Sequence, residues 1–353
     1  MITDRWHSAL RSLAIILIAT IAVLTLLALA LEVAGVDSGR ALAALWFGSL
    51  GSWDALTSAT LVRATPLILT GLAVALAFRA GVWNIGAEGQ LLIGAAAATA
   101  VALSGTSLGA IALPVATLAG ALAGTAWATV AAVLRRRYAV PEVIGTIMLN
   151  FIALYLVGYL VRGPLQEPTG IYPQSATLPE LARLPRILPG SRLHSGLLLA
   201  LLAAPLLHWI LRETAAGFRI RVTGASPRAA HMAGSIDVDR TTFTAFAISG
   251  LLAGLAGAAE VTGVTYALYE NLSPGYGYIA IAVALLARLD PLGVVATGVL
   301  FGALEAGAVA MQREAGVPAS VVSAVEALLI LALLAFERWR GTVILPAHLT
   351  TSR

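Results

Sequence analysis

The chain has 353 residues, of which 59% are hydrophobic and 11% charged, with a mean hydropathy of +0.89. A soluble domain carries about 25% charged residues, so the composition is that of an integral membrane protein and the predicted class is all-α and polytopic. Cysteine is absent, which excludes disulfides, thiolate metal sites and cysteine nucleophiles; the net charge of +4 comes wholly from arginine, and with no lysine the chain cannot carry a standard P-loop.

After Arg5 and Arg11, an apolar run at 13–31 is long enough to span a bilayer, although Ala28-Leu29-Ala30 also resembles a signal-cleavage site. Residues 36–57, with Trp46 and Trp53, read as an interfacial segment. Further spans are predicted at 61–79, 85–104, 109–134, 142–162, 195–211, 241–262, 275–288, 292–311 and 318–336, which makes about ten in all. The span at 275–288 provides only about 21 Å of helix against a hydrocarbon core of ~30 Å. The stretch from Arg79 to Gln90 holds Gly81, Gly86 and Gly89. Both are predicted to be broken or re-entrant, which is tolerated only where the backbone packs in protein or lines a cavity. Thr70-Gly71-Leu72-Ala73 is echoed by Ser249-Gly250-Leu251-Leu252-Ala253, each in a span followed by an irregular glycine-rich element. With the two spans running in opposite directions this is the pattern of an inverted repeat, on a match short enough for chance to produce it too.

Arg135-Arg136-Arg137, the arginines from Arg212 to Arg240, and Arg338 with Arg340 fall on one side of this topology, together with the N-terminus. The positive-inside rule makes that side cytoplasmic, and ten spans put both termini there. The opposite side holds 163–194, a loop with Pro164, Pro168, Pro173, Pro179, Pro185 and Pro189 that also carries Arg183, Arg186 and Arg192. Arginines at membrane edges rather than in a stripe speak for topology and against a nucleic-acid partner.

Four sets of polar residues stand in or beside the apolar spans. Asn84 and Glu88, at i and i+4 if helical, share a face and with Gln90 offer a carboxylate and two amides to a hydroxylated or heterocyclic solute. The structural alternative is that Glu88 pairs with Arg79 or caps an interrupted helix. Glu142, Thr146 and Asn150 repeat every four residues, continued by Tyr155 and Tyr159, as a path lining or as glue between helices. Tyr266, Tyr269, Tyr276 and Tyr278, with Glu270 and Asn271, lie on the outer side of this topology, as an aromatic interface belt, a stacking mouth for a flat solute or a contact for a delivery protein. Glu260, Glu305 and Glu326 stand singly in apolar spans, as in ion-coupled carriers or in helices joined by hydrogen bonds. The five histidines are scattered, and neither G-x-S-x-G nor HExxH occurs.

The polar island 213–240 interrupts this apolar pattern. Within it Ser226, Pro227, Arg228, Ala229, Ala230, His231, Met232, Ala233 and Gly234 spell a short helix with an N-cap, a proline suited to the first turn and a glycine stop. A small capped helix on a membrane protein's face is predicted to be a docking surface.

The island is also where a resemblance becomes visible. TGASPRAAHMAGSIDVDR followed by AISGLLAGLAGAAEV resembles permease subunits of ABC importers of the ribose and branched-chain amino-acid group. PGYGYIAIAVALLARLDPLGVVATGVLFGAL is similar to the region after it, and GVWNIGAEGQLLIGA and PEVIGTIMLNFIALYLVGYLVRGPLQ look like the nucleoside (simple-sugar) uptake branch, so that the four blocks cover roughly 60–340. Relatives often carry a Gly-Gly turn where this chain has Arg288 and Asp290.

The resemblance implies a single transmembrane permease domain over 1–353 in the bacterial inner membrane, with 213–240 as its cytoplasmic coupling loop. It implies three partners: an ATP-binding subunit holding ATP and Mg, a second permease (the same chain or a different one) and an extracytoplasmic solute-binding protein. No cofactor and no catalytic role is expected in this chain. Ser226, Pro227, Arg228, Ala229, Ala230, His231, Met232 and Gly234 would contact the ATPase, and Asn84, Glu88, Gln90, Thr146 and Asn150 would line the path. The alternative function is an ion-coupled secondary transporter of a small polar solute.

Overall fold

A computed structural model describes residues 25, 28, 29, 31–33, 35–104, 109–232, 236–318, 321, 324 and 327. The predicted spans 13–31 and 318–336 fall almost wholly outside these, as do Gly234, Glu326, Arg338 and Arg340. The chain divides into two compact units, one of residues 1–56 with 303–343 and the other of 57–302 with 344–353.

In the first unit, helix α1 (Ser38–Ser49) is capped by Asp37, whose carboxylate accepts from Arg40 N at 2.9 Å. Its buried Ala41 and Ala44 share a small core with Leu31, Met311 and Val317. Trp46 and Trp53 are both exposed.

The second unit is a bundle. A π-helical turn, Ala55–Thr60, leads directly into α2 (Leu61–Arg79), so this span starts earlier than predicted. Then come α3 (Ala87–Ser104), α4 (Ala112–Tyr138), α5 (Glu142–Arg162) and α6 (Gly196–Glu213). The island follows as two helices, α7 (Ala215–Ala225) and α8 (Pro227–Met232), rather than as a loop with one helix. Thr214 caps α7 through Gly217 N, and Ser226 Oγ accepts from Ala229 N at 3.2 Å in α8. The bundle closes with α9 (Val238–Glu260), α10 (Tyr276–Leu286) and α11 (Pro291–Ala315), the last of which passes into the first unit after Gly302. Seven helices among the described residues are long and apolar enough to cross a membrane, and α10 is a shorter apolar one. They account for the eight predicted spans that lie within the described residues. Between α10 and α11, Arg288 and Leu289 adopt φ of 53° and 60°, the left-handed conformation that favours glycine.

Backbones touch at the centre of this unit. Gly250, Gly254 and Gly257 form one stripe on α9. A side chain at Gly254 would strike Gly120 and Gly124 of α4, and one at Gly257 would strike the Leu91 carbonyl of α3. In hydrocarbon, where burial of apolar surface supplies no force between helices, such close approach is what gives packing its energy.

The echo between α2 and α9 extends to their neighbours. Each is followed by a break and then a further helix, α3 or α10, and each lies against the other's successor. Gly71 of α2 meets Val283 of α10, and Gly94 of α3 meets Gly254 of α9. The next helix in each half then packs on the first helix of the other half. Gly120 and Gly124 put α4 on α9, and Gly298 puts α11 on Ile68 of α2. Gly224 of α7, in the segment that leads into α9, lies against Gly81 at the end of α2. These crossings fit the inverted repeat that the sequence echo suggests.

The proline-rich loop 163–194 is stitched to the segment after α9. Ser175 N, Leu178 N and Leu184 N donate to Leu268 O, Tyr266 O and Thr262 O at 2.7, 2.8 and 2.9 Å, and the Arg183 guanidinium stacks 4.8 Å from the Tyr266 ring. At its end His194 is fully buried. Its Nδ1 accepts from Gly196 N at 3.2 Å, so the neutral ring carries its proton on Nε2. Burial, reinforced by Arg192, pushes the imidazole down to about 4 from 6.5. A group with a depressed folded pKa costs nothing above its unfolded value and destabilises the fold as pH falls from there to the folded value. His194 therefore removes about 3 kcal/mol of stability between pH 6.5 and 4. The expected result is a steeper fall in apparent melting temperature over that window for the natural protein than for His194→Gln; parallel profiles would refute it.

Candidate functional site

The five predicted pathway residues come together, but not on one helix face. Helix α2 ends in a Schellman motif: Gly81, at φ +75°, donates to Phe78 O, and Val82 N donates to Ala77 O, both at 3.0 Å. Asn84 then forms an Asx turn, its Oδ1 accepting from Gly86 N at 2.9 Å, and α3 begins only at Ala87. Asn84 thus lies in non-helical backbone, and the predicted i, i+4 pairing with Glu88 does not exist.

Asn84 and Gln90 instead form a closed amide pair. Each amide nitrogen donates to the other's carbonyl oxygen at 3.0 Å, and Asn84 Nδ2 also donates to Ser249 Oγ of α9 at 2.8 Å. Ser249 in turn donates to Ala73 O of α2 at 2.7 Å. The chain of bonds joins the break after α2 to the middle of α9 and, through Ser249, back to α2. All its members are buried, so each bond left unmade would be costly.

A second set faces the N-termini of two helices. Asn150 of α5 accepts from Gly89 N in the first turn of α3 at 2.9 Å, while its Nδ2 donates to Ile85 O at 2.9 Å and to the Tyr278 hydroxyl at 3.2 Å. Glu88 accepts from Gly277 N in the first turn of α10 at 2.7 Å, with Ser273 as a further side-chain partner. Arg79 does not pair with Glu88, because its Nε donates to Leu289 O at 2.8 Å. Glu88 does cap an interrupted helix, though it is α10 and not its own. At each broken helix a first-turn N–H, of the kind an anionic ligand would seek, is engaged by a side chain of the protein itself: Gly89 N of α3 by Asn150, and Gly277 N of α10 by Glu88.

Thr146 is buried and bonds back to Glu142 O at 2.7 Å, its methyl side against Gly86. Glu142 lies 3.4 Å from Arg135 of α4. Tyr155 and Tyr159 point away from this network and are exposed. Of the tyrosine group, Tyr276 is buried and Tyr278 joins the Asn150 network, so that the four do not form one belt. Glu270 makes a two-point ion pair with Arg162 at 2.8 and 2.5 Å, which holds its carboxyl below the usual range. Glu260 is buried with Oε2 unpartnered among the described residues, and Glu305 is buried with a partner. No group of three metal-ligating side chains occurs among the described residues.

Ser249, Ser273, Gly277 and Tyr278 belong to the network and are absent from the predicted pathway set. Ser249 was visible in the internal echo, and Tyr278 in the Gly-Tyr-Gly-Tyr run, but their roles depend on which helices cross.

The predicted coupling residues stand at the end of the bundle where α2 stops. Arg228, Ala229 and Met232 of α8 are exposed and Ala230 is buried. Behind α8, Gly224 of α7 lies backbone to backbone on Arg79 and Gly81: a side chain there would overlap the Arg79 carbonyl. Helix α8 follows directly on α7, which lies against the Schellman turn, and the turn is three residues from Asn84.

Sequence comparison agrees with this architecture. The pattern of the family described as branched-chain amino acid transport system / permease component matches residues 56–334. The guanosine ABC transporter permease protein NupP of Bacillus subtilis is 41% identical over 319 residues, covering 89% of this chain and 91% of that protein. The glucose ABC transporter permease protein TsgB13 of Haloferax volcanii is 40% identical, over 88% of this chain and 85% of its own. The nucleoside ABC transporter permease protein NupB of Lactococcus lactis is 31% identical, over 81% and 80%. No solved structure matches. The chain belongs to the branched-chain amino acid transport system permease family.

Proposed function

We propose that the chain is the permease subunit of an ATP-driven importer for nucleosides or related simple sugars, forming the translocation path with a second permease. The observation that carries this reading is that Asn150 and Glu88 each engage a first-turn N–H of a broken helix, Gly89 N of α3 and Gly277 N of α10. An amino-acid carboxylate would seek those N–H groups and finds them engaged, whereas a neutral hydroxylated solute needs none of them. The relatives named for guanosine, nucleoside and glucose transport support the same class. Bacillus subtilis and Lactococcus lactis each hold a second relative of this chain, NupQ and NupC, which supports a partner permease of a different sequence.

ATP would be hydrolysed by a separate subunit seated on α8, with an extracytoplasmic protein delivering solute to the opposite face. The inner membrane is the expected location, with α8 on its cytoplasmic side. ATP binding would draw the α8 helices of the two permeases together and rock the path between outward and inward access. Uptake of radiolabelled guanosine, ribose and glucose by the assembled complex in proteoliposomes tests the reading. Arg228→Glu is expected to abolish uptake while solute capture by the binding protein stays intact. Normal uptake with normal ATPase association in that variant would remove α8 from the coupling role.

A further inference from the structure

Helix α5 turns an unusual face outward. Phe151, Tyr155, Gly158 and Arg162 follow one another at spacings of four, three and four residues and so form a single stripe. Tyr155 is 73% exposed and its hydroxyl has no hydrogen-bond partner among the described residues. It stands seven residues in from Arg162, about 10 Å from the end of the apolar span Glu142–Arg162 and so inside it and not at its edge. A lipid-facing hydroxyl at that depth is left unsatisfied at a cost, so the stripe is built to meet something other than hydrocarbon.

The same stripe borders the segment leading into α10. At its outer end Gly158 faces the Glu270 carboxylate, a side chain there lying 3.1 Å from Oε1, and Arg162 pairs with Glu270. At its inner end Asn150, next to Phe151, holds the Tyr278 hydroxyl at 3.2 Å. The Tyr278 ring is 43% exposed, and as its oxygen accepts from Asn150 its own O–H proton is left to offer. The segment from Glu270 to Tyr278 is thus tied to α5 at both ends, at Arg162 and at Asn150, with Phe151, Tyr155 and Tyr278 left exposed.

We propose that Phe151, Tyr155 and Tyr278 are a stacking wall of the solute path, specific for a flat heterocyclic base, with the Tyr278 hydroxyl as its hydrogen-bonding group. The inference rests on the importer reading and deepens it: it selects a nucleoside over a simple sugar, because every base presents a π-face and a sugar does not.

The absence of cysteine makes a direct test available. Tyr155→Cys and Tyr278→Cys are made singly in the assembled complex, in membranes, with Leu202→Cys on the exposed face of α6 as a lipid-facing control. A charged, membrane-impermeant thiol reagent reacts with the thiolate and so needs water. Labelling of this chain at 155 and 278 is expected to be roughly tenfold or more faster than at 202. Guanosine is expected to slow it, and ribose is not. Labelling at 155 as slow as at 202, or labelling unaffected by guanosine, overturns the proposal. In uptake, Tyr155→Leu is expected to lower guanosine transport about tenfold and Tyr155→Phe to retain it. Wild-type guanosine uptake by Tyr155→Leu overturns the wall while leaving the importer intact. Absence of all uptake by the unmutated complex fails the importer reading instead, and the labelling results still decide whether position 155 faces water and a base.

Discussion

Replacing Gly224 by valine is expected to uncouple the chain from its motor while leaving the bundle inserted. The added side chain overlaps the Arg79 carbonyl and reaches within 3.0 Å of Gly81 N. Neither neighbour can yield cheaply. The turn is held by the Gly81 and Val82 bonds to Phe78 and Ala77, and Arg79 is tied to Leu289 O. Overpacking of this kind costs about 1–3 kcal/mol, and here the relief is for α7 to lift from α2. On the proposed reading α8 is what the ATPase grips, so lifting α7 separates the grip from the broken helix. Solute-stimulated ATP hydrolysis and uptake should both fall by about tenfold or more, while size-exclusion behaviour is kept. Full uptake by Gly224→Val would show that the motion does not pass through this contact.

Asn84→Leu is the second large effect, and it is one of stability. The substitution nearly conserves volume but strips the Gln90 amide of both its partners and takes the acceptor from Gly86 N and the donor from Ser249. Each buried group left unpaired costs about 1–3 kcal/mol, so a loss of about 3 kcal/mol or more is expected, read as apparent melting temperature in detergent. The double variant Asn84→Leu/Gln90→Leu should recover part of that loss, because removing both partners costs less than orphaning one. A single variant as stable as the natural chain would mean that the amide pair holds nothing together.

How far the sequence alone carried the reading differs from element to element. Apolar length located the eight described spans, because in lipid a helix is the default for such a run. Glycine and polar content located both breaks and the island. The register inside the breaks was not legible: whether Asn84 and Glu88 share a face depends on Gly86, whose N–H is taken by Asn84 Oδ1 before a helix can claim it. Likewise Glu88 and Asn150 were identifiable as costly residues, but their partners, Gly277 and Gly89, lie on other helices. Those pairings follow from the glycine crossings of α9, and a single sequence shows the small residues without showing which backbone they admit. The split of the island into α7 and α8 turns on Ser226 and Pro227, which both end one helix and start the next.

The closure of the two broken helices has an electrical consequence. Where helix ends are left open at mid-membrane, a charged solute completes them, and moving it then takes part in the membrane potential at about 2.3 kcal/mol per charge per 100 mV. Here the completing groups, Glu88 and Asn150, are residents that stay behind. On the proposed reading, a neutral solute crossing beside them carries nothing for the voltage to act on, and direction would rest on the nucleotide cycle of the partner subunit.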